Sequence, residues 1–177
     1  MNIKHNEWQR SFRKCFEKAV TLYEAGKTGA ETFFDSSEAT FLRSIGCTEQ
    51  ELYDFVEDFV KHGEPDFDTA LLVAAVRRDY FLVVMNQEGS SRRVAPADLP
   101  PKDLAEEGIV WLPRIIEKAK AKLRGEMDPD LMYGCGGDRR FFSENNVHPA
   151  DFLRHVWAAG ENRQKVVDYV KHCRASV

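Results

Sequence analysis

The sequence predicts an all-α protein made of two related helical units, an internal duplication packed as one globular domain. Three observations predict it. Apolar residues recur at three- and four-residue spacing along most of the chain. Helix-opening signatures stand directly before those stripes. Both features keep step when the chain is slid against itself by about 100 residues.

In chain order, Trp8, Phe12, Cys15, Phe16, Ala19, Leu22 and Tyr23 define an amphipathic helix over about 6–25, with Gly26 as its stop. Asp35-Ser36-Ser37-Glu38 has the form of a capping box opening a brief helix through Phe41 and Leu42. Thr48-Glu49-Gln50-Glu51 is a second box, ahead of Leu52, Phe55, Val56 and Phe59, with a stop at Gly63. Pro65-Asp66 opens a helix over about 66–86 with Phe67, Ala70, Leu71, Ala74, Phe81 and Met85 on one side. It is apolar nearly all round apart from Arg77, Arg78 and Asp79, which predicts a helix through the middle of a core. Tyr80–Met85 reads equally as a short strand by periodicity. No other segment offers it a partner, so helix is the reading, with no sheet of three or more strands anywhere.

Residues 87–108 are polar and carry Pro96, Pro100 and Pro101. They form a linker with a short helical turn around Pro101 to Glu107, packed across the surface or serving as a lid. The first unit is then 1–86 and the second 109–177. In the second, Leu112, Ile115, Ile116, Ala119 and Leu123 form the buried face of a helix with Pro113 in its first turn. A short helix begins at Asp138, and His148-Pro149-Ala150-Asp151 opens another bearing Phe152, His155 and Val156. Val166, Val167, Val170 and Cys173 mark the last. The register predicts that Phe16, Phe41, Leu52 and Val56 are equivalent to Ile116, Phe141, Phe152 and Val156, about a pseudo-twofold axis.

Composition is that of an ordinary soluble protein, 43% hydrophobic and 31% charged over 177 residues. Residues 1–100 hold 12 Lys/Arg against 17 Asp/Glu, whereas 101–177 hold 13 against 12, so an anion-binding surface belongs in the second half. The overall charge of −4 lacks the basic bias of a nucleic-acid-binding protein. Cys15, Cys47, Cys135 and Cys173 are scattered without a C-x-x-C pair, and Met1–Trp8 has no apolar leader. The longest apolar run is too short for a bilayer. The expectation is a cytoplasmic protein with free thiols and no membrane or nucleic-acid partner.

One stretch concentrates chemistry: Tyr133-Gly134-Cys135-Gly136-Gly137-Asp138-Arg139-Arg140-Phe141-Phe142. Glycines free the backbone to turn, Asp138 stands where it would cap a helix, and Arg114, Arg139 or Arg140 is placed to pair with it. Arg114, Lys118 and Lys122 line one flank of the preceding helix.

Trp111-Leu112-Pro113-Arg114-Ile115-Ile116-Glu117-Lys118-Ala119 with Gly125, then Met132–Phe141, then His148-Pro149-Ala150-Asp151-Phe152 resembles an uncharacterised bacterial family, domain of unknown function 5069. The resemblance covers about 105–175 and extends over the first half. It implies no activity. The first half departs from it, with Phe12-Arg13 in place of Leu112-Pro113 and Ser37-Glu38-Ala39 in place of Gly137-Asp138-Arg139. The first copy therefore reads as a scaffold and the second as the bearer of any site.

The leading functional expectation is a non-enzymatic binding module. A small anionic ligand or a protein partner would sit at loop 133–140, using Tyr133, Gly136, Gly137, Asp138, Arg139, Arg140, Arg114 and Lys118 and no cofactor. Against it, Asp138 as a cap would itself occupy the helix amides. The alternative is a small enzyme using Asp138, Cys135 or His148, with Cys135 activated by nearby cations and His148 as base. His148, Asp151 and His155 share one helical face, as a metal site would require, or as an Asp151–His155 pair would. Oligomeric state is not fixed by these patterns.

Overall fold

The structure is a computed structural model describing residues 5–176. Of the Met1–Trp8 segment read above, residues 1–4 lie outside the described residues. Helix dominates: there are eight α-helices and a single two-stranded hairpin among the described residues. Internal contacts divide the chain between Gly89 and Ser90.

In unit 1, α1 (Trp8–Glu24) buries Trp8, Phe12, Cys15, Phe16 and Ala19, the predicted stripe. Gly26 follows at φ +81, a conformation that suits a residue without Cβ. Both capping boxes form. Asp35 accepts from the Ser37 and Glu38 amides ahead of α2 (Ser36–Ser44), and Thr48 accepts from the Glu51 amide ahead of α3 (Glu49–His62). α1 packs on α3 and α4, with Phe16 between Phe59 and Phe67.

α4 (Phe67–Val83) begins at an Asp66 cap and takes in Tyr80–Val83, so the disputed segment is helical up to its last two residues. The expectation of burial all round is corrected. Leu72 and Val84 are exposed, and Val83 is 71% exposed. Arg77 is instead buried, 4% exposed, with its guanidinium 5.1 Å over the Phe81 ring.

In unit 2 the linker is corrected. The helical turn lies at Pro96–Asp98, and Pro101–Glu107 runs into β1 (Ala105–Glu106), which pairs antiparallel with β2 (Ile109–Val110). The turn residues Glu107 and Gly108 both have positive φ, +49 and +79, as a two-residue hairpin requires. The segment is packed onto its unit: Val94 N–H donates to the Glu126 carbonyl (2.7 Å), Ser90 Oγ to the Glu126 carboxylate (2.9 Å), and Leu99 and Ile109 are buried. α5 (Leu112–Arg124), α6 (Gly136–Glu144), α7 (Pro149–Ala159) and α8 (Arg163–Arg174) complete the unit. α7 packs against both α5 and α8.

Some elements of the two units stand 100 residues apart and others do not: α4 and α8 begin 96 residues apart, and α1 and α5 begin 104 apart. α2 and α6 begin and end 100 residues apart, and so do the N-caps Thr48 and His148. The turns after α2 and α6 share one closing bond, Cys47 N–H donating to Leu42 O (3.0 Å) and Val147 N–H to Phe142 O (2.9 Å), and differ in another, Ile45 N–H donating to Leu42 O and Asn145 N–H to Phe141 O. Gly46 and Asn146 both hold positive φ there, +72 and +54. Phe16, Phe41, Leu52 and Val56 are buried, as are Ile116, Phe141, Phe152 and Val156.

Candidate functional site

α5 and α6 bring the distinctive residues of unit 2 together. Glycine supplies positive φ at Gly134 (+93), which turns the chain into α6. α6 starts at Gly136, so Cys135 is its N-cap residue and Asp138 lies inside the first turn. The expected Asp138 cap is therefore corrected, because the cap position is three residues earlier, at Cys135. No side chain caps α6.

Asp138 is fully buried, and its carboxylate is saturated from inside the unit. Trp111 Nε1 donates to Oδ1 (2.9 Å), while the Gly134 amide (3.0 Å) and Lys118 Nζ donate to Oδ2. The expected arginine partner is corrected too: the pairing cation is Lys118, 2% exposed, one turn beyond Arg114 on α5. A buried carboxylate is tolerable when charge and hydrogen bonds are supplied together, and here they are. Lys118 Nζ also lies 3.4 Å from Cys135 Sγ. In unit 1, 100 residues earlier, Lys18 Nζ donates to Glu38 Oε2 near the surface, and that same oxygen accepts from the Asp35 amide (2.9 Å), one residue later than the offset from Gly134 would place the donor.

The other expected site residues divide into two groups. Tyr133 is beneath the loop, buried, with its hydroxyl donating to Pro149 O (2.8 Å); burial first, then the Asp138 charge, pushes its phenol well above the ordinary range. Arg139 Nη1 donates to Gly134 O (2.9 Å), and its Nη2 would lie 3.8 Å from a Cβ at Gly136, so the guanidinium arches over an exposed backbone. Arg140 is exposed. Arg114 donates to Pro100 O (2.8 Å) and leans on the Trp111 ring. Gly137 is covered: a Cβ there would stand 2.6 Å from Trp111 Cζ2.

Sequence reading missed Trp111, which holds φ +72 at the start of α5 and spans from the hairpin to Asp138. Its only sequence signal was its position before Leu112-Pro113. The residues of the enzymatic reading are engaged separately. His148 caps α7, its Nδ1 accepting from the Ala150 amide (3.2 Å), and no hydrogen bond joins it to Cys135 among the described residues. The Asp151–His155 pair is corrected: Asp151 accepts from Arg154 (2.7 Å), and His155 stacks on Tyr169 at 3.5 Å between ring centroids. No group of three His, Cys, Asp or Glu residues disposed to hold a metal occurs among the described residues.

The Leu-Pro-Arg start of α5, the glycine turn and the His-Pro start of α7 occur together in one unit. Residues 101–176 match the family model for the Domain of unknown function (DUF5069). The match takes in the hairpin and α5 to α8, and the first half of the chain lies outside it. Neither a curated protein nor a solved structure matches the chain. The DUF5069 segment thus contains the whole Lys118–Asp138 pair, its Trp111 and Gly134 donors and the uncapped turn of α6. No helix among the described residues is long and apolar enough to cross a membrane.

Proposed function

We propose that this protein is a non-enzymatic binding module that takes a small anion on the first turn of α6. The observation that supports it is a difference between two turns in register. In α2, Asp35 Oδ1 accepts from the Ser37 (2.8 Å) and Glu38 (2.9 Å) amides. In α6 the corresponding amides belong to Gly137 and Asp138, and the corresponding side chain, Cys135, caps neither. A helix N-terminus with unsatisfied amides favours negative charge, and Arg139 and Arg140 add cations beside it. Asp138, Lys118 and Tyr133 form the support, and Gly136, Gly137, Arg139, Arg140 and Arg114 the face toward the ligand. A carboxylate on a partner protein offers the same chemistry as a free anion.

On this reading the two units are copies of one ancestral helical unit. Unit 1 keeps its own carboxylate as cap and is the scaffold; unit 2 takes its carboxylate from outside. The free thiols of Cys15, Cys47, Cys135 and Cys173 support a place in the bacterial cytoplasm.

The test is a titration of inorganic phosphate into isotope-labelled protein, read by amide shifts. Saturable shifts at Gly137 and Asp138, weakened by Arg140→Gln and abolished by Cys135→Asp, are expected. Absence of shifts at these amides, or shifts indifferent to Cys135→Asp, overturns the reading. Shifts produced by an acidic peptide but not by phosphate assign the site to a protein partner.

A further inference from the structure

We propose that the hairpin Ala105–Val110 is an ionic latch over the first turn of α6, a proposal that rests on the reading of that turn as an anion site. Three features of unit 2 carry it.

The tip of the hairpin is held by charge alongside the one buried side chain, Ile109. Arg163 of α8 donates from Nε to both Glu106 oxygens (2.9 and 2.6 Å) and from Nη1 to Glu117 of α5 (2.8 Å), while Lys171 of α8 pairs with Glu107. Gln164 also reaches Glu107, and Lys120 lies 3.9 Å from Glu117, so these are the groups the tip faces. Ile109 is buried, but Leu104 and Val110 are 46% and 55% exposed.

Local preference is overridden at both ends. Glu107 occupies the first turn position at φ +49, where Asn, Asp or Gly is the usual choice. Its carboxylate gives it a role there that the usual residues lack or reach less far to fill. Trp111 holds φ +72 at the hairpin's base. Two non-glycine residues in the left-handed region store strain that the ionic contacts hold in place.

The base of the hairpin is the cover of the site. Trp111 N–H donates to Leu104 O (3.1 Å), its indole N–H to Asp138, and its ring lies on Gly137. Loosening the tip therefore frees Trp111 to lift from the Cα of Gly137 and from the Asp138 carboxylate at the α6 turn.

Hydrogen exchange of the full chain tests this. Arg163→Gln, and independently Glu106→Gln, should each speed exchange of the Trp111 amide by about fivefold, the size of one well-made exposed ion pair. Added sodium chloride should do the same in the unaltered chain, with α5 and α7 amides unmoved. Unchanged Trp111 exchange in both variants overturns the latch, and so does acceleration shared equally by α5 and α7, which is global loosening. A phosphate titration of the same samples separates the two readings. If Trp111 exchange responds but phosphate shifts no α6 amide, the latch stands and the anion site falls. If phosphate binds and exchange does not respond, the anion site stands and the latch falls.

Discussion

Lys118 and Asp138 form an ion pair with side chains 2% and 0% exposed, whereas Lys18 and Glu38, each 100 residues earlier, form theirs with side chains 40% and 22% exposed. Removing one member of a buried pair strands the other charge in a medium that cannot solvate it. Lys118→Met is expected to cost about 3–5 kcal/mol and Lys18→Met about 0–1 kcal/mol. Urea unfolding of the two variants makes the comparison.

Gly136 and Gly137 are adjacent and differ in what surrounds them. A Cβ at 136 would meet nothing nearer than 3.8 Å, and one at 137 would strike the Trp111 ring at 2.6 Å. Gly137→Ala is expected to cost about 1–3 kcal/mol by overpacking, and Gly136→Ala to be neutral or stabilising. Thermal unfolding of both variants decides it.

Burial, with a further push from Glu38 and against the pull of Lys18, raises the Cys15 thiol from 9.0 to about 12. Below pH 9 the thiol is protonated folded or unfolded and contributes no pH dependence. Between about 9 and 12 only the unfolded chain gives up the proton, so stability falls as pH rises through this window. The urea midpoint should decline across it, and less steeply in Cys15→Ala.

Arg77 is buried, its Nε without a hydrogen-bond partner among the described residues; Nη1 donates to Met85 Sδ at 3.6 Å, the guanidinium lies over the Phe81 ring, and burial lowers its pKa against the attraction of the Glu51 charge. Burying a guanidinium with no carboxylate in ion-pair contact is unfavourable even with the Glu51 charge in the field, and an apolar side chain of similar length avoids it. Arg77→Met is expected to leave the urea midpoint unchanged or raised. A fall of about 2 kcal/mol or more would mean the guanidinium is satisfied in solution.

The helices and most of their boundaries were legible because they depend on local signals. Asp35, Thr48 and Asp66 cap where their spacing to the following stripe requires, and Gly63 and Gly125 end helices in the left-handed conformation. The hairpin at 105–110 was not legible, because two-residue strands leave no alternation to count and the Glu-Gly turn lacks the usual residues. In the site, Asp138 was recognised and its role was not. Three glycines before it suggested a late helix start, yet glycine at the first two helical positions is compatible with helix when Trp111 packs against one of them. The lysine that pairs with Asp138 is 20 residues away, beyond any local rule. A pair of the same kind, Lys18 with Glu38, stands 100 residues earlier in the sequence.

The enclosure of Lys118 has a consequence for chemical labelling. Its amine is held between the Asp138 carboxylate and the Cys135 sulfur with 2% exposure, so amine-reactive reagents reach it only when unit 2 opens. Acylation at Lys118, set against that of the half-exposed Lys18, is therefore a clock for the opening of that unit, readable by mass in unmodified protein and without a spectroscopic probe.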